Sequence, residues 1–380
     1  MSKWMIESDQ LDNDQKQFLF EKIKDNENYW INGFPGSGKS ILMMHTLADI
    51  KRREPDAKML IAYFTHSLRQ IYIVGMNELE VNARNISFST YLQFNKSTDN
   101  YDYIFCDEVQ DLPASVIKKM KNRCTRLIIA GDPNQSVYTR CPQSGEAVIS
   151  TDKIAVVSSC TEYPLNTVHR LTKSVISLIG KLLPSMGILK AKENTLKRDV
   201  TVRLSEFDNL EEEVKHIAKR ALSVTSEGDS AAILLASHDD IITFVNKFCE
   251  INEHDKWNVE YNSYGKPNYS SMNFHLNSLK LHYIGNGYGD LYQASKLNKV
   301  ILMTYHSAKG LDFDGVYLPF LNSHTHISNK TIFMVALSRS KNILELSYIE
   351  KMHSFLEQIE DLCTKPTKEI EKKEEFEFDF

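Results

Sequence analysis

The sequence has few cysteines, no long apolar run and little excess charge. Its six cysteines are scattered without a Cys-x-x-Cys pair, which argues against a zinc site or a disulfide framework and favours a reducing compartment. No apolar run approaches the roughly 20 residues that cross a membrane, and the first residues lack the apolar region of a signal peptide. The net charge of −5 over 380 residues gives no overall preference for nucleic acid, although a local groove is compatible with it. We therefore expect a soluble cytoplasmic protein of two domains with no membrane contact.

Glycine is also sparse, at 15 residues in the chain, yet three of them fall within one stretch of eight. The stretch reads Gly33-Phe34-Pro35-Gly36-Ser37-Gly38-Lys39-Ser40 and fits the phosphate-binding loop pattern of Gly, four residues and Gly-Lys-Ser. An apolar run at 28–32 predicts a strand before it, and residues 41–48 predict a helix after it. In that context backbone N–H groups and the helix N-terminus surround phosphate oxygens, so a chance match in a turn is the less favoured alternative.

This loop predicts a site for ATP and Mg²⁺. We expect the Lys39 ammonium to reach the β- and γ-phosphates, where its charge offsets theirs. The Ser40 hydroxyl is expected to bind Mg²⁺. The full set of expected phosphate-loop contacts is Gly33, Gly36, Ser37, Gly38, Lys39 and Ser40.

Two adjacent acids follow a predicted strand at 101–106, namely Asp107 and Glu108. The carboxyl end of a parallel strand is the ligand edge of a doubly wound sheet, and adjacent strand residues point to opposite faces. We expect Asp107 to hold Mg²⁺ and Glu108 to orient and deprotonate the attacking water. A merely polar strand end is the alternative, which the phosphate loop disfavours. After a further predicted strand at 126–132, the Gln135 amide is placed to sense the γ-phosphate.

Apolar runs alternate with amphipathic stretches through both halves of the chain. This alternation predicts an α/β protein of two domains, each a mostly parallel sheet flanked by helices. The expected domains are residues 1–163 and 164–363, followed by an acidic, disordered tail at 364–380. Lys153 to Ser158 is predicted to be the last strand of the first domain, and residues 252–278 a loop-rich connection or a small insertion.

In their order along the chain, these blocks resemble the superfamily 1 helicases of the UvrD/Rep-like branch, over residues 10 to about 348. The resemblance implies two RecA-like P-loop NTPase domains with ATP in the cleft between them. It rests on the phosphate loop and on Asp14-Gln15, Tyr63-Phe64-Thr65-His66-Ser67, Asp107-Glu108-Val109-Gln110-Asp111, Gly131 to Tyr138, Leu165 to Arg170, Thr304 to Phe313, and Val335 to Lys341.

The resemblance implies that Arg170 and Arg339 reach the γ-phosphate from the second domain. An arginine pair supplied across a cleft neutralises charge in the transition state and couples hydrolysis to domain closure. The expected catalytic residues are Lys39, Glu108, Gln135, Arg170 and Arg339.

The resemblance also implies contacts to the nucleoside. Gln15 would read adenine, because its amide offers both a donor and an acceptor. Asp312 stands where the family usually has a Glu for the ribose hydroxyl, and Gly310 is expected in the same site. His169 stands where the family often has a Tyr that stacks on adenine, a departure that affects nucleotide preference.

Aromatic residues are the expected contacts to nucleic acid. Phe64 and Tyr138 match family positions that face single-stranded bases, and stacking on bases tolerates any sequence. Core packing is an equally favoured role for both rings. Thr65 and His306 are the other candidate nucleic-acid contacts.

The chain also departs from the family in size and in its end. Only short segments stand where the family carries large helical inserts that grip duplex, so the chain is expected to be a compact form. The end alternates Phe376, Phe378 and Phe380 with acids, which would put the rings on one face of an extended strand. Such a segment can dock on a protein partner or serve only as a solubilising tail.

Two functions of different class follow. The first is an ATP- and Mg²⁺-dependent motor on single-stranded nucleic acid, with DNA favoured over RNA. The resemblance implies that it moves 3′ to 5′, with duplex unwinding weak or dependent on a partner. The alternative is a DNA-sensing regulatory ATPase subunit of a nuclease, repair or phage-defence complex that does not unwind duplex by itself. A P-loop enzyme with a small-molecule acceptor is disfavoured because it leaves both arginine blocks unexplained.

Overall fold

A computed structural model describes residues 4–64, 66–132, 136, 138–141, 144–193, 199–261, 263, 265 and 267–366. The apolar runs form two six-stranded sheets in which all the pairings between neighbouring strands are parallel. Helices flank both sheets, which confirms the predicted α/β class with two RecA-like domains. Among the described helices, none combines the length and the apolar character that crossing a bilayer requires.

The first sheet has the strand order β3-β2-β4-β5-β1-β6. Its central strand β2 is buried at every residue, because helices cover both faces of a parallel sheet. Its strands are β1 Tyr29–Gly33, β2 Met59–Tyr63, β3 Ile86–Thr90, β4 Tyr101–Cys106, β5 Cys124–Gly131 and β6 Thr161–Leu165. Its helices are α1 Asn13–Phe20, α2 Lys39–Arg53, α3 His66–Glu78, α4 Tyr91–Lys96, α5 Ala114–Asn122 and α6 Ile154–Ser158.

A small two-stranded sheet and one helix follow the first sheet. They are β7 Thr167–Val168, α7 Lys173–Leu182 and β8 Lys192–Glu193. The expected boundary between residues 163 and 164 falls inside β6, which runs on to Leu165. Helix α7 packs on a helix of the second domain, α12, so the chain has left the first domain by then.

The second sheet has the order β11-β12-β10-β13-β14-β9. Its strands are β9 Val202–Phe207, β10 Ala231–Leu235, β11 Leu281–Tyr283, β12 Val300–Thr304, β13 Phe313–Leu318 and β14 Ser340–Ile349. Its helices are α8 Leu210–Ser226, α9 His238–Ile251, α10 Tyr269–His275, α11 Leu291–Lys296, α12 Lys330–Leu337 and α13 Ser354–Glu357. Thr364 pairs with the edge strand β9, where its N–H donates to Val202 O at 2.8 Å. Pro366, which has no N–H, cannot extend that pairing.

Two sequence predictions differ from the structure. Lys153 to Ser158 is not a strand but a 3₁₀ turn leading into α6, which packs on α5. The last strand of the first sheet is β6 instead, and its sequence Thr-Glu-Tyr-Pro-Leu gives little apolar signal because an edge strand is half exposed. The segment 252–278, predicted to be loop-rich, contains helix α10.

The parallel sheets bring the predicted site residues to one edge. Strand β1 leads into the phosphate loop and β4 into Asp107, and β5 lies between them in the sheet. Because the carboxyl ends of parallel strands share an edge, the loop, Asp107 and Asp132 at the end of β5 face the same cleft.

A short segment at the start of the described chain also joins the two domains, and we call residues 4–6 the N-terminal strap. The backbone N–H groups of Trp4 and Met5 donate to the Glu78 carboxylate of α3, at 3.0 and 2.7 Å. The Trp4 ring lies edge-on against Phe313 of β13, with ring centroids 5.8 Å apart. The strap is therefore held by the first domain through its backbone and by the second domain through an aromatic ring.

Candidate functional site

The phosphate loop has the conformation and the free space that a phosphate chain requires. Gly36 and Gly38 have φ angles of 75° and 80°, in the left-handed region that favours glycine. The Ser37 hydroxyl is buried and has no hydrogen-bond partner among the described residues. The Lys39 ammonium donates to Gly33 O at 2.9 Å and to Phe34 O at 3.0 Å, so it lies along the loop. Burial lowers the Lys39 pKa, against the opposing effect of nearby carboxylates. These observations fit a loop that binds phosphate.

Two oxygen-bearing side chains meet beside this loop. The Ser40 hydroxyl, in the first turn of α2, donates to Asp107 Oδ2 at 2.6 Å. Tyr72 of α3 donates to the same oxygen at 3.4 Å, a contact that the sequence had not indicated. Burial, together with the neighbouring Glu108, raises the pKa of Asp107. A serine hydroxyl and a carboxylate are hard oxygen ligands, so this pair fits Mg²⁺.

Glu108 is held in an unusual backbone conformation, with φ 55° and ψ 40°. Its Oε2 accepts a hydrogen bond of 2.5 Å from the Gln110 amide, and Lys309 Nζ lies 3.3 Å from it. Burial raises the Glu108 pKa, but Lys309, Lys39 and the Gln110 bond outweigh it, so the pKa is lowered. Glu108 is therefore ionised at neutral pH, as a group that accepts a proton from water must be.

Lys309 and Gln110 are the site residues to which the sequence analysis gave no role. Lys309, on the loop after β12, forms an ion pair with Asp111 as well as with Glu108, and all three side chains are buried. Gln110 also accepts a hydrogen bond from the Asp132 N–H at 3.2 Å, which ties the ends of β4 and β5 together. The signal for Gln110 was the block from Asp107 to Asp111, and the signal for Lys309 was the block from Thr304 to Phe313; in both, polar residues follow a buried strand.

The two predicted arginines converge on one carboxylate. Arg170 donates to Asp312, and Arg339 Nη1 lies 4.0 Å from the same Asp312 oxygen. Arg339 is almost fully buried and also donates to Leu311 O at 3.2 Å. Burial and the nearby Arg170 lower the pKa of Arg339 to about 9, so it keeps its charge at neutral pH. Both guanidinium groups thus lie beside the same carboxylate, and the charges of Glu108 and Asp132 also act on Arg339.

The predicted nucleoside contacts lie in two places. Gln15 is buried against the phosphate loop, and its amide donates to Ser37 O at 3.1 Å. His169 also lies against the loop, where its backbone N–H donates to Gly36 O at 2.9 Å and its ring bonds Asp12. Gly310 packs on Leu68 of α3, where a Cβ would overlap the leucine side chain. Asp312 bonds Arg170, so the structure shows an ionic partner for it and leaves the ribose contact a prediction.

Three of the predicted nucleic-acid residues form a row of rings that crosses from one domain to the other. Phe64 stacks on Tyr91 with ring centroids 5.3 Å apart, and Tyr138 lies 5.3 Å from Phe64 on the other side. His306 of the second domain stacks on Tyr138 at 6.1 Å. Phe64 is buried and belongs to the core, whereas Tyr138 is half-buried. The other two predicted residues nearby, Thr65 and Gln135, lie outside the described residues.

Family models match most of this architecture. The model described as viral superfamily 1 RNA helicase core domain matches residues 30–238, more than half of the chain. The model described as UvrD-like helicase C-terminal domain matches residues 276–351. The first match contains the phosphate loop, Asp107, Glu108 and Arg170, and the second contains Asp312 and Arg339.

Individual relatives are more distant. A probable DNA helicase II homolog from Mycoplasma capricolum subsp. capricolum is 24% identical over 139 residues, which are 35% of this chain and 19% of that protein. An arterivirus nonstructural protein 10 helicase structure is 14% identical with a TM-score of 0.43, covering 92% of this chain and 64% of that chain. A PRRSV helicase structure is 13% identical with a TM-score of 0.44, covering 85% and 52%. The chain thus spans less than a fifth of the curated relative and part of each viral helicase.

The family matches and the residues of the cleft agree. The matched segments supply the phosphate loop, the two acids and the two arginines in the order that the sequence predicted. The chain belongs to the superfamily 1 helicases, with a helicase-type enzymatic core and a UvrD-like C-terminal domain.

Proposed function

We propose that this chain is an ATP- and Mg²⁺-dependent motor that moves 3′ to 5′ along single-stranded DNA. The observation that carries the proposal is the composition of the interdomain cleft. Ser40, Asp107 and Glu108 come from the first domain. Arg170 lies against Gly36 of the phosphate loop, and Arg339 is close enough for its charge to act on Glu108, so each domain supplies only part of the site. A site divided in this way works only when the domains close, which links hydrolysis to a domain motion.

Each group has one task in this proposal. Lys39 and the loop N–H groups bind the β- and γ-phosphates, while Ser40 and Asp107 would hold Mg²⁺, which supplies charge neutralisation on the phosphates. Glu108 accepts the proton of the attacking water. Arg170 and Arg339 exchange their shared carboxylate, Asp312, for the γ-phosphate. The exchange is favourable because a phosphate carries more charge than one carboxylate.

The row of rings supports single-stranded nucleic acid as the track. Tyr138 and His306 belong to different domains, and their rings stack on each other. A base stacked on either ring would therefore gain or lose contacts when the cleft opens or closes. DNA is favoured because the matched C-terminal model is UvrD-like and the curated relative is described as a DNA helicase homolog. The core model is described as that of RNA helicases, so RNA is the comparison that the experiment must include.

The test is ATP hydrolysis with no nucleic acid, with single-stranded DNA and with single-stranded RNA of the same sequence. We expect DNA to stimulate hydrolysis, and Glu108→Gln to lower the stimulated rate by at least about 100-fold, the range of general-base contributions. Glu146→Gln is the matched control, because that carboxylate accepts a bond from Ser115 on the surface. Displacement of streptavidin from the 5′ but not the 3′ end of DNA would support the 3′ to 5′ polarity. Equal hydrolysis with and without either nucleic acid would contradict the motor.

A second candidate is a DNA-sensing regulatory ATPase subunit of a nuclease, repair or phage-defence complex. The compact second domain favours it, since the described segment between α9 and β12 holds only short elements, namely α10, a 3₁₀ turn at Asn277–Leu279, β11 and α11. In this candidate the tail from 376 to 380, outside the described residues, binds the partner. Removing residues 367–380 keeps Thr364 paired with β9 and so leaves the fold intact. If assembly and biological activity both survive that deletion, this candidate loses its support.

A further inference from the structure

Asp12 connects two residues, Gln15 and His169, that are each hydrogen-bonded to the phosphate loop. As the N-cap of α1, it accepts a hydrogen bond of 2.7 Å from the Gln15 N–H through Oδ1. Its second oxygen, Oδ2, lies 2.5 Å from His169 Nε2, 157 residues further along the chain. Capping needs one carboxylate oxygen, so the second oxygen is available for another task.

The bonds form a closed circuit around the loop. Gln15 donates to Ser37 O at 3.1 Å, and the His169 N–H donates to Gly36 O at 2.9 Å. Asp12 completes the circuit by joining Gln15 to His169. Asp12 therefore fixes the two side chains beside the loop that the resemblance assigns to the nucleobase.

The circuit leaves hydrogen-bonding capacity on Gln15. Its carbonyl oxygen accepts from the Asp12 N–H at 3.1 Å, and one amide hydrogen is used on Ser37 O. One amide hydrogen and one lone pair therefore remain for the edge of a base. The His169 Nε2 atom is hydrogen-bonded to Asp12 at the edge of the ring, a geometry that leaves the faces of the ring for stacking.

We propose that Asp12 is a positioning residue for the nucleobase, which holds the His169 ring at the fixed angle needed to stack on an adenine whose edge is bound by Gln15. The inference rests on the proposed function, because it assumes that the loop binds a nucleoside triphosphate. It goes beyond the expected contacts of Gln15 and His169, since it makes base selectivity depend on a residue that contacts no part of the nucleotide. A histidine has a smaller face than tyrosine, so its stacking depends more on being held.

The charge state of Asp12 fits this role. Burial raises its pKa, but the bonds from His169 and from the Gln15 N–H outweigh burial, so the pKa is lowered. The carboxylate therefore stays ionised at neutral pH. The side chains of His169 and Asp12 are 32% and 18% exposed, so the pair lies at the rim where a base can reach the ring.

The test is Asp12→Ser. Serine caps a helix as well as aspartate, and Ser-x-x-Gln is itself a capping box with Gln15, but the side chain is too short to reach His169. Displacement of fluorescent mant-ADP from the full chain is measured with ATP, GTP and inorganic tripolyphosphate. We expect ATP affinity to fall about tenfold, the worth of one charged hydrogen bond, and the preference for ATP over GTP to shrink. Tripolyphosphate affinity should change less than about twofold, because the loop itself is untouched.

Two further variants separate positioning from folding. Asp14→Ser removes a carboxylate from the same helix turn that is not in the circuit, and it should bind all three competitors as the unaltered chain does. In the background of His169→Ala, Asp12→Ser should have no further effect on ATP affinity, because the ring it positions is gone.

The outcomes are distinct. An unchanged ATP to GTP preference in Asp12→Ser overturns the inference, as does an equal loss for ATP and tripolyphosphate, which would mean that the circuit only shapes the loop. If the unaltered chain displaces mant-ADP with none of the three competitors, the proposed nucleotide site fails as well. A selective loss for ATP that disappears in the His169→Ala background supports the inference.

Discussion

The contact with the second domain is made by charged side chains in the cleft and by an aromatic ring at the N-terminal strap, whose backbone is hydrogen-bonded to Glu78 of the first domain. In the cleft, Lys309 pairs with Asp111 and Glu108, and all three are buried. At the strap, the buried ring of Trp4 packs on Phe313. A buried ion pair depends on every charge nearby, whereas apolar packing does not respond to a charged ligand. The cleft is therefore the contact that a nucleotide can change, and the strap is the contact that persists.

The Lys309 ion pairs and the Trp4 ring are both buried, yet they respond differently to the loss of a partner. Burial lowers the pKa of Lys309, but Asp111 and Glu108 outweigh it and raise the pKa, so the lysine is charged in the closed cleft. Removing one partner from such a group leaves an uncompensated buried charge, which costs much more than the pair contributes. The strap has no comparable cost, since an alanine in place of Trp4 leaves only lost packing.

The largest expected effect is that of Lys309→Met. The substitution keeps the aliphatic stem and removes the charge that faces Asp111 and Glu108, so we expect the free energy of unfolding to fall by about 3–5 kcal/mol. Urea unfolding measures it, with Lys118→Met on the exposed face of α5 as the control. Adding Asp111→Asn to Lys309→Met should recover part of the loss. If the single variant is as stable as the unaltered chain, the cleft is not held by charge and the comparison fails.

Trp4→Ala is expected to have the second-largest effect on the free energy of unfolding. Trp4 is 8% exposed and contacts both Phe313 and the Lys341 ammonium, so we expect a loss of about 2–4 kcal/mol, somewhat below the range for a fully buried aromatic residue. The loss should be the same with and without a saturating nucleotide, in contrast to Lys309→Met. Thermal unfolding with and without a non-hydrolysable ATP analogue tests both. A loss at Trp4 that the analogue reverses would mean that the strap is also part of the switch.

His306→Ala should act on nucleic acid and leave the fold nearly unchanged. Burial, with His238 and Lys309 adding to it, lowers the His306 pKa, so the ring is neutral at pH 7.5. Loss of one stacking ring costs about 1–3 kcal/mol per base. Because no charge is removed, the salt dependence of DNA affinity should keep its slope. Fluorescence anisotropy at several salt concentrations measures both quantities, and His324→Ala serves as the control. A shallower slope would show that His306 acts as a phosphate-binding cation.

The site residues that the sequence could predict are those whose signal is local. The phosphate loop, Asp107 and Glu108 each follow an apolar run, and a strand followed by polar residues fixes their place in a parallel sheet. The wrong strand at 153–158 shows the limit of that signal. Ile154 and the β-branched residues after it suggest a strand, yet β6 forms from residues 161–165, because pairing with β1 compensates for its weak pattern.

The contacts that the sequence could not predict join distant parts of the chain. Lys309 lies 198 residues from Asp111, and His169 lies 157 from Asp12. No periodicity or spacing connects such pairs, since each requires two docked elements with defined side-chain directions. The resemblance named Asp312 and Arg170 as nucleotide contacts, but their mutual ion pair became visible only when the cleft was assembled.

The smallest expected effect is that of Lys341→Met, which tests whether the strap is purely apolar. The Lys341 ammonium lies 5.4 Å from the centre of the Trp4 ring, and 3.9 Å from Asp314. A cation over a tryptophan face contributes about 0.5–1 kcal/mol at a partly exposed site, so we expect a loss within that range. The loss should vanish in the Trp4→Ala background, because the ring that the cation faces is then absent. If the same loss remains there, it belongs to Asp314, and the Trp4 ring is held by packing on Phe313 without the cation.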